Sequence, residues 1–152
     1  MNRLLIFGIL MFSLSATAQR NPFKNISEKD GKIGIGTTTP DELLTVKGKI
    51  HPQEVLVDLD GAVAPDYVFE TYYKGFSEMM PGYSLISLEE LEAFLKENYH
   101  LPNVPSAETM RTEGISLKEM NLILLQKIEE LTLYTLQQQK EIDALKEKIS
   151  EK

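Results

Sequence analysis

The clearest pattern of hydrophobic and polar residues is a heptad repeat near the C-terminus. No Gly or Pro interrupts residues 116–149, and ten residues follow a strict 4-3 spacing. These residues are Leu117, Asn121, Leu124, Ile128, Leu131, Thr135, Gln138, Ile142, Leu145 and Ile149. With Asn121 at position a, isoleucine dominates the a positions and leucine the d positions, which is typical of a coiled coil. The sequence therefore predicts a coiled-coil helix over residues 116–150, with these ten residues as its oligomerisation seam.

The first half of this predicted helix is more apolar than a two-stranded seam requires. The additional apolar residues are Met120, Leu122, Ile123, Leu125, Leu133 and Leu136. A two-stranded coil cannot cover all of them, so another segment is expected to pack there. The preceding residues, 62–115, are the obvious candidate.

Residues 62–115 form a mixed connector with two predicted helices. Ser87 and Glu90 have the spacing of a capping box, and the apolar stripe that follows predicts a helix ending near Asn98. A second short helix is expected over residues 107–112, where the next glycine ends it.

The connector also concentrates aromatic residues. The cluster consists of Tyr67, Phe69, Tyr72, Tyr73, Phe76 and Tyr83. Two interpretations are open: these rings pack against the long helix as core, or they form an exposed platform that binds glycan or a partner protein.

Residues 31–61 have the alternation of a β-rich stem. Glycine alternates with larger residues over 31–36, and apolar residues recur with a period of two over 44–50 and again over 55–59. The glycines are expected where backbones approach each other closely or bend. They lack the remaining residues of a phosphate-binding loop, so we interpret this segment as structural.

The N-terminal residues have the layout of a secretory signal peptide. A positive start and a short apolar run precede Ala16-Thr17-Ala18, so residues 1–18 are expected to be removed by cleavage after Ala18. The apolar run is shorter than the roughly 20 residues of a membrane span, so no stable span is expected after cleavage. Residues 19–30 are polar without periodicity and are interpreted as a flexible leader. The protein is thus expected to be secreted or displayed at the cell surface.

Composition narrows the possible functions further. The chain has 152 residues, no cysteine and a net charge of −7, which excludes disulfides and argues against nucleic-acid binding. His51 and His100 are the only histidines and lack the spacing of a zinc site. We expect His100 to cap the C-terminal end of the preceding helix. Neither a nucleophile with its base nor a defensible carboxylate pair is present, so the sequence predicts no enzyme, no cofactor and no metal site.

Several segments together resemble a known group of proteins. Residues 34–40 read GIGTTTP and residues 44–48 read LTVKG, while residues 99–106, 114–121 and 124–132 read YHLPNVPS, GISLKEMN and LLQKIEELT. These segments, over residues 31–146, resemble phage tail-fibre-like proteins secreted by Bacteroidetes. That group is distantly similar to the intramolecular chaperone domains that end trimeric tail spikes. The resemblance implies a structural protein whose C-terminal module brings three chains into register.

The chain departs from the self-cleaving members of that resemblance. Those members use a Ser–Lys dyad in a Ser-Asp-x-Arg-Leu-Lys stretch, and the nearest counterpart here runs from Pro65 to Glu70. Proline has no nucleophilic oxygen, and glutamate cannot act as a neutral lysine base. Self-cleavage is therefore not expected.

These observations predict an α+β protein with a short glycine-rich β stem, a small mixed connector and a long coiled-coil helix. The a and d residues alone would suit a parallel dimer. Thr135 and Gln138 in the seam, the additional apolar face and the resemblance favour a parallel homotrimer. Glu141 and Lys146 have the spacing of an interchain ion pair in such a parallel assembly.

Overall fold

A computed structural model describes residues 23–151, so the predicted signal peptide and its cleavage site lie outside the described residues. The chain divides into two compact units, with the boundary between Val55 and Leu56. The described residues contain a three-stranded mixed sheet followed by helices, the last of which is long. The predicted α+β class is therefore confirmed.

The sheet of the N-terminal unit consists of β1 (Ile26–Lys29), β2 (Lys32–Ile35) and β3 (Leu44–Val46), in that spatial order. Strands β1 and β2 form an antiparallel hairpin, and β3 pairs with β2 in parallel.

The hairpin corrects the prediction of a flexible leader over residues 19–30, because β1 lies within it. Asp30 and Gly31 form the two-residue turn with φ angles of 54° and 78°. An Asp-Gly pair favours this turn because both central residues need positive φ. The Asp30-Gly31 pair spans the boundary between the predicted leader and the predicted stem, and strand β1 was therefore missed.

One face of the sheet is closed by the chain's own residues 36–43. Thr45 is buried, accepts hydrogen bonds from the backbone N–H groups of Asp41 and Glu42, and donates one to Asp41 Oδ1 at 2.6 Å. Gly34 lies so close to the Thr37 carbonyl that a Cβ atom would collide with it. The close backbone approach expected of a glycine in this stretch thus occurs at Gly34, within one chain.

The strand pattern predicted over residues 55–59 was wrong. Residues 49–59 form neither strand nor helix, and β3 ends at Val46. An alternating pattern produces a strand only where a neighbouring strand supplies hydrogen-bond partners. The turn at Asp60 and Gly61 follows directly, with the Ala62 N–H donating to the Leu59 carbonyl.

The second unit contains four helices. They are α1 (Tyr67–Lys74), α2 (Leu88–Asn98), α3 (Ala107–Glu113) and α4 (Leu117–Ser150). The predictions of α2, its capping box, α3 and α4 are confirmed. Helix α1 was not predicted, because its dense aromatic residues obscured the helical spacing and the C-capping glycine at position 75.

Candidate oligomerisation surface

Helix α4 begins where the sequence places its N-cap. The Ser116 side chain accepts a hydrogen bond from the Glu119 N–H, and the helix then runs without interruption to Ser150. Two faces of this helix differ in their surroundings: one packs against the connector, and the other contains the predicted seam.

The outer face of α4 packs against the connector. Its buried residues are Gln126, Glu129, Leu133 and Tyr134, which occupy heptad positions f, b, f and g. Leu133 is fully buried and forms the core with Tyr67 and Val68 of α1. The connector therefore packs on the first half of the long helix, but of the six additional apolar residues expected to be covered only Leu133 is buried, while Leu125 and Leu136 are exposed.

Aromatic packing extends this core. The rings of Tyr67 and Tyr83 meet edge to face with centroids 5.0 Å apart. Tyr134 donates a hydrogen bond from its hydroxyl to the Ile86 carbonyl at 2.7 Å, which ties the chain just before α2 to α4. The buried aromatic side chains thus satisfy their polar ends within the chain.

A polar network centred on Glu130 fixes the contact between the connector and α4. Glu130 Oε1 accepts hydrogen bonds from Gln126 Nε2 at 2.7 Å and from the Tyr83 hydroxyl at 3.2 Å. Glu130 Oε2 pairs with Lys127 Nζ at 2.7 Å, and both side chains are only 13% exposed. Tyr67 donates to Gln126 Oε1 at 2.9 Å. Burial, reinforced by the negative charge of Glu130, raises the pKa values of Tyr67 and Tyr83.

Glu129 is the least satisfied polar side chain on this face. It is 6% exposed, and its Oε2 atom is buried without a hydrogen-bond partner. Burial raises the pKa of Glu129, and the nearby Asp66 carboxylate raises it further. The ionised form is therefore unfavourable at this position.

The predicted seam lies on a different face and is not covered. All ten seam residues are exposed in the single chain. The apolar members include Ile128 at 60% exposure and Leu131 at 64%, although Leu133, two residues after Leu131, is fully buried. Large contiguous apolar patches are rarely left exposed and commonly mark interaction sites, so this stripe is a candidate interaction surface.

The predicted aromatic cluster divides into two groups. Tyr67 is buried, and Phe69, Tyr72 and Tyr83 pack against the core, so the core interpretation is confirmed for these rings. Tyr73 and Phe76 are 67% and 61% exposed.

Two further sequence predictions can be compared with the geometry. His100 was wrongly predicted to cap α2: Tyr99 occupies the C-cap, whereas the His100 ring contacts Phe94 and Nδ1 lies 3.0 Å from the Leu101 carbonyl. Lys146 Nζ lies 3.5 Å from Asp143 Oδ1 of its own helix. The interchain ion pair of Lys146 with Glu141 stays a prediction.

Polar side chains in and just after the stretch compared with the self-cleaving motif hydrogen-bond to one another. Ser77 is 2% exposed, donates to Glu70 Oε2 at 2.7 Å and accepts from the Met79 N–H. Glu70 also pairs with Lys74 at 2.6 Å. The hydrogen bonds from Lys74 and Ser77, together with the positive charge of Lys74, lower the pKa of Glu70.

Sequence reasoning missed the Glu130 network. Gln126, Lys127 and Glu130 look like ordinary solvated positions of an amphipathic helix, and only the tyrosine hydroxyls opposite them give them a buried role. The aromatic composition of the connector was the one available signal, since buried tyrosines need hydrogen-bond partners.

Comparisons add no relative to this picture: no family model, no curated protein and no solved structure matches the chain. Among residues 23–151, no helix has both the length and the apolar character to cross a membrane. Over the same residues, no group of three or more metal-ligating side chains is assembled.

Proposed function

We propose that this protein is an exported, non-enzymatic structural protein, tail-fibre-like in organisation, that assembles through α4 and thereby sets the register of its chains. The observation that carries the proposal is the separation of the two faces of α4. The connector occupies the outer face, while the entire a/d stripe stays exposed for other copies. A parallel homotrimer is the assembly we propose.

The N-terminal sheet supports the same proposal. Ile26, Ile35 and Val46 lie in register across the three strands, and Ile33 pairs with Leu44 on the same face. The other face contains buried Thr45 and Gly34, whereas Ile33 and Leu44 are exposed. A sheet of three short strands with one uncovered apolar face gains stability when copies of the chain are brought together.

The test is the mass of residues 19–152 in solution by multi-angle light scattering. We expect three times the mass of the protomer. Twice that mass would replace the trimer by a dimer, and a monomer would overturn the proposal.

A pair of variants locates the interface. Leu124→Asp is expected to abolish assembly, because an unpaired charge would be buried at the seam. Ala144→Asp lies on the exposed c position of the same helix, away from the seam and its e and g flanks, and is the control. If both variants keep the mass of the wild-type assembly, the stripe is not the interface.

A second candidate function rests on the two exposed aromatic residues of the connector. Tyr73 and Phe76 fit an adhesin-like surface that contacts glycan or a partner protein. A glycan array probed with the intact protein tests this candidate. Binding that is lost in the double variant Tyr73→Ala, Phe76→Ala would favour it over a purely structural function.

A further inference from the structure

An open groove of about 350 Å³ lies beside the seam. Helix α4 provides one wall through Leu124, Lys127, Ile128, Glu130, Leu131 and Tyr134. The opposite wall comes from the connector and contains Leu91, Leu101 and Pro102. The groove is mainly apolar and open to solvent in the single chain.

Four of the six residues from α4, namely Leu124, Lys127, Ile128 and Leu131, have a specific role in coiled-coil geometry. In a parallel, in-register coil, each a side chain inserts into a hole formed by four residues of the facing helix. For the a residue Ile128, that hole consists of successive d, g, a and d residues, here Leu124, Lys127, Ile128 and Leu131. The groove therefore contains the hole that Ile128 of a second copy would enter.

We propose that this groove is occupied by α4 of a second copy of the chain, and that the connector wall closes around the partner's helix. The proposal rests on the proposed function, and it deepens it by assigning the connector a direct part in the interface. The groove is continuous with the seam, since it shares Leu124, Ile128 and Leu131 with it. The occupant is thus another copy in parallel register.

The charges around the groove are compatible with an apolar occupant. Lys127 is the basic residue at its edge, and its Nζ atom is paired with Glu130 at 2.7 Å in a largely buried position. The Glu130 carboxylate is further held by Gln126 and Tyr83. An entering isoleucine therefore displaces no partner of these charges, so the desolvation cost is low.

Site-specific photo-crosslinking tests the proposal in the full mature chain. Leu101→p-benzoylphenylalanine places the probe on the connector wall, and Leu88→p-benzoylphenylalanine is the matched control, since the two leucines are 40% and 42% exposed. Mixing isotopically light and heavy chains distinguishes crosslinks between copies from those within one. We expect interchain crosslinks from position 101 to residues 121–135 of the partner, and none of these from position 88.

A substitution provides a second measurement. Leu101→Asp would place an unpaired charge on the wall that the partner helix covers, so it is expected to raise the dissociation constant by about tenfold or more. Leu88→Asp should leave it nearly unchanged. Far-UV circular dichroism of both variants shows whether the fold is kept.

The outcomes separate this proposal from the proposed function. If the wild-type chain is a trimer that Leu124→Asp dissociates, but position 101 yields only intrachain crosslinks, the groove proposal is overturned and the seam stands. If the wild-type chain is monomeric, both are overturned.

Discussion

The two halves of α4 belong to one continuous helix but have different surroundings. Over residues 117–137 the connector buries four side chains, whereas over residues 138–150 every side chain is exposed. An isolated helix of fewer than about 12–15 residues is marginal in water. The first half is therefore stabilised within its own chain, and the second half depends on helix continuity and, in our proposal, on partner copies.

The largest expected effect comes from removing α4. Ending the chain at Gly114 takes Leu133 away from Tyr67 and Val68, so the connector should lose its cooperative thermal transition. Ending it at Gln137 keeps this core and should preserve the transition. Near-UV circular dichroism of the tyrosines measures both. A chain that ends at Gly114 and melts like wild type would contradict the packing on α4.

A large effect is also expected from truncating the buried leucine. Leu133→Ala should lower the free energy of unfolding by about 2–5 kcal/mol, because it leaves a cavity between α1 and α4. At concentrations below the dissociation constant of the proposed assembly, Leu145→Ala should cost less than about 0.5 kcal/mol, since Leu145 is exposed in the single chain. Denaturant titration at low and high protein concentration checks both values. A loss of stability in Leu145→Ala that appears only at high protein concentration would indicate that partner copies cover Leu145.

Hydrogen exchange should distinguish the halves without any mutation. Amides in residues 138–150 should exchange about tenfold or more faster on dilution below the dissociation constant, as local stability falls when partners leave. Amides in the middle of the first half should change much less. Uniform protection of α4 at all concentrations would show that the second half needs no partner.

The smallest effect concerns Glu129. Because its pKa is raised in the fold, its contribution to stability is complete below the ordinary Glu pKa and is lost as pH rises through the raised value. At neutral pH the ionised carboxylate therefore costs stability, and Glu129→Gln should raise the free energy of unfolding by about 1 kcal/mol.

The matched control for Glu129→Gln is Glu147→Gln, at an exposed f position in the second half of α4. Measuring unfolding between pH 4 and pH 8, roughly the window around a raised Glu pKa, gives the slope for each variant. The Glu147 variant should follow wild type. If the Glu129 variant does the same, the buried position has no electrostatic cost.

The sequence predicted those elements whose signals are local. Ser87 and Ser116 cap their helices by accepting hydrogen bonds from the backbone N–H groups of Glu90 and Glu119, and this Ser-x-x-Glu spacing is visible in the sequence. The seam follows from periodicity alone, and its exposure in one chain agrees with the pattern.

Features that depend on distant residues could not be predicted in the same way. The alternation over residues 55–59 has no neighbouring strand to pair with, which no local pattern reveals. The Glu130 network requires Tyr83 to lie opposite α4, across 47 positions of sequence. The connector wall of the groove likewise depends on the position of Leu101 and Pro102 after α2, which long-range packing determines.

The Glu130 network also has a consequence for the angular setting of α4. If the helix rotated or slid by one turn against the connector, Tyr83 and Tyr67 would lose the acceptors that their buried hydroxyls require. The network thus fixes the angular orientation of α4 against the connector. The apolar stripe therefore points in the same direction in every chain before the proposed assembly forms.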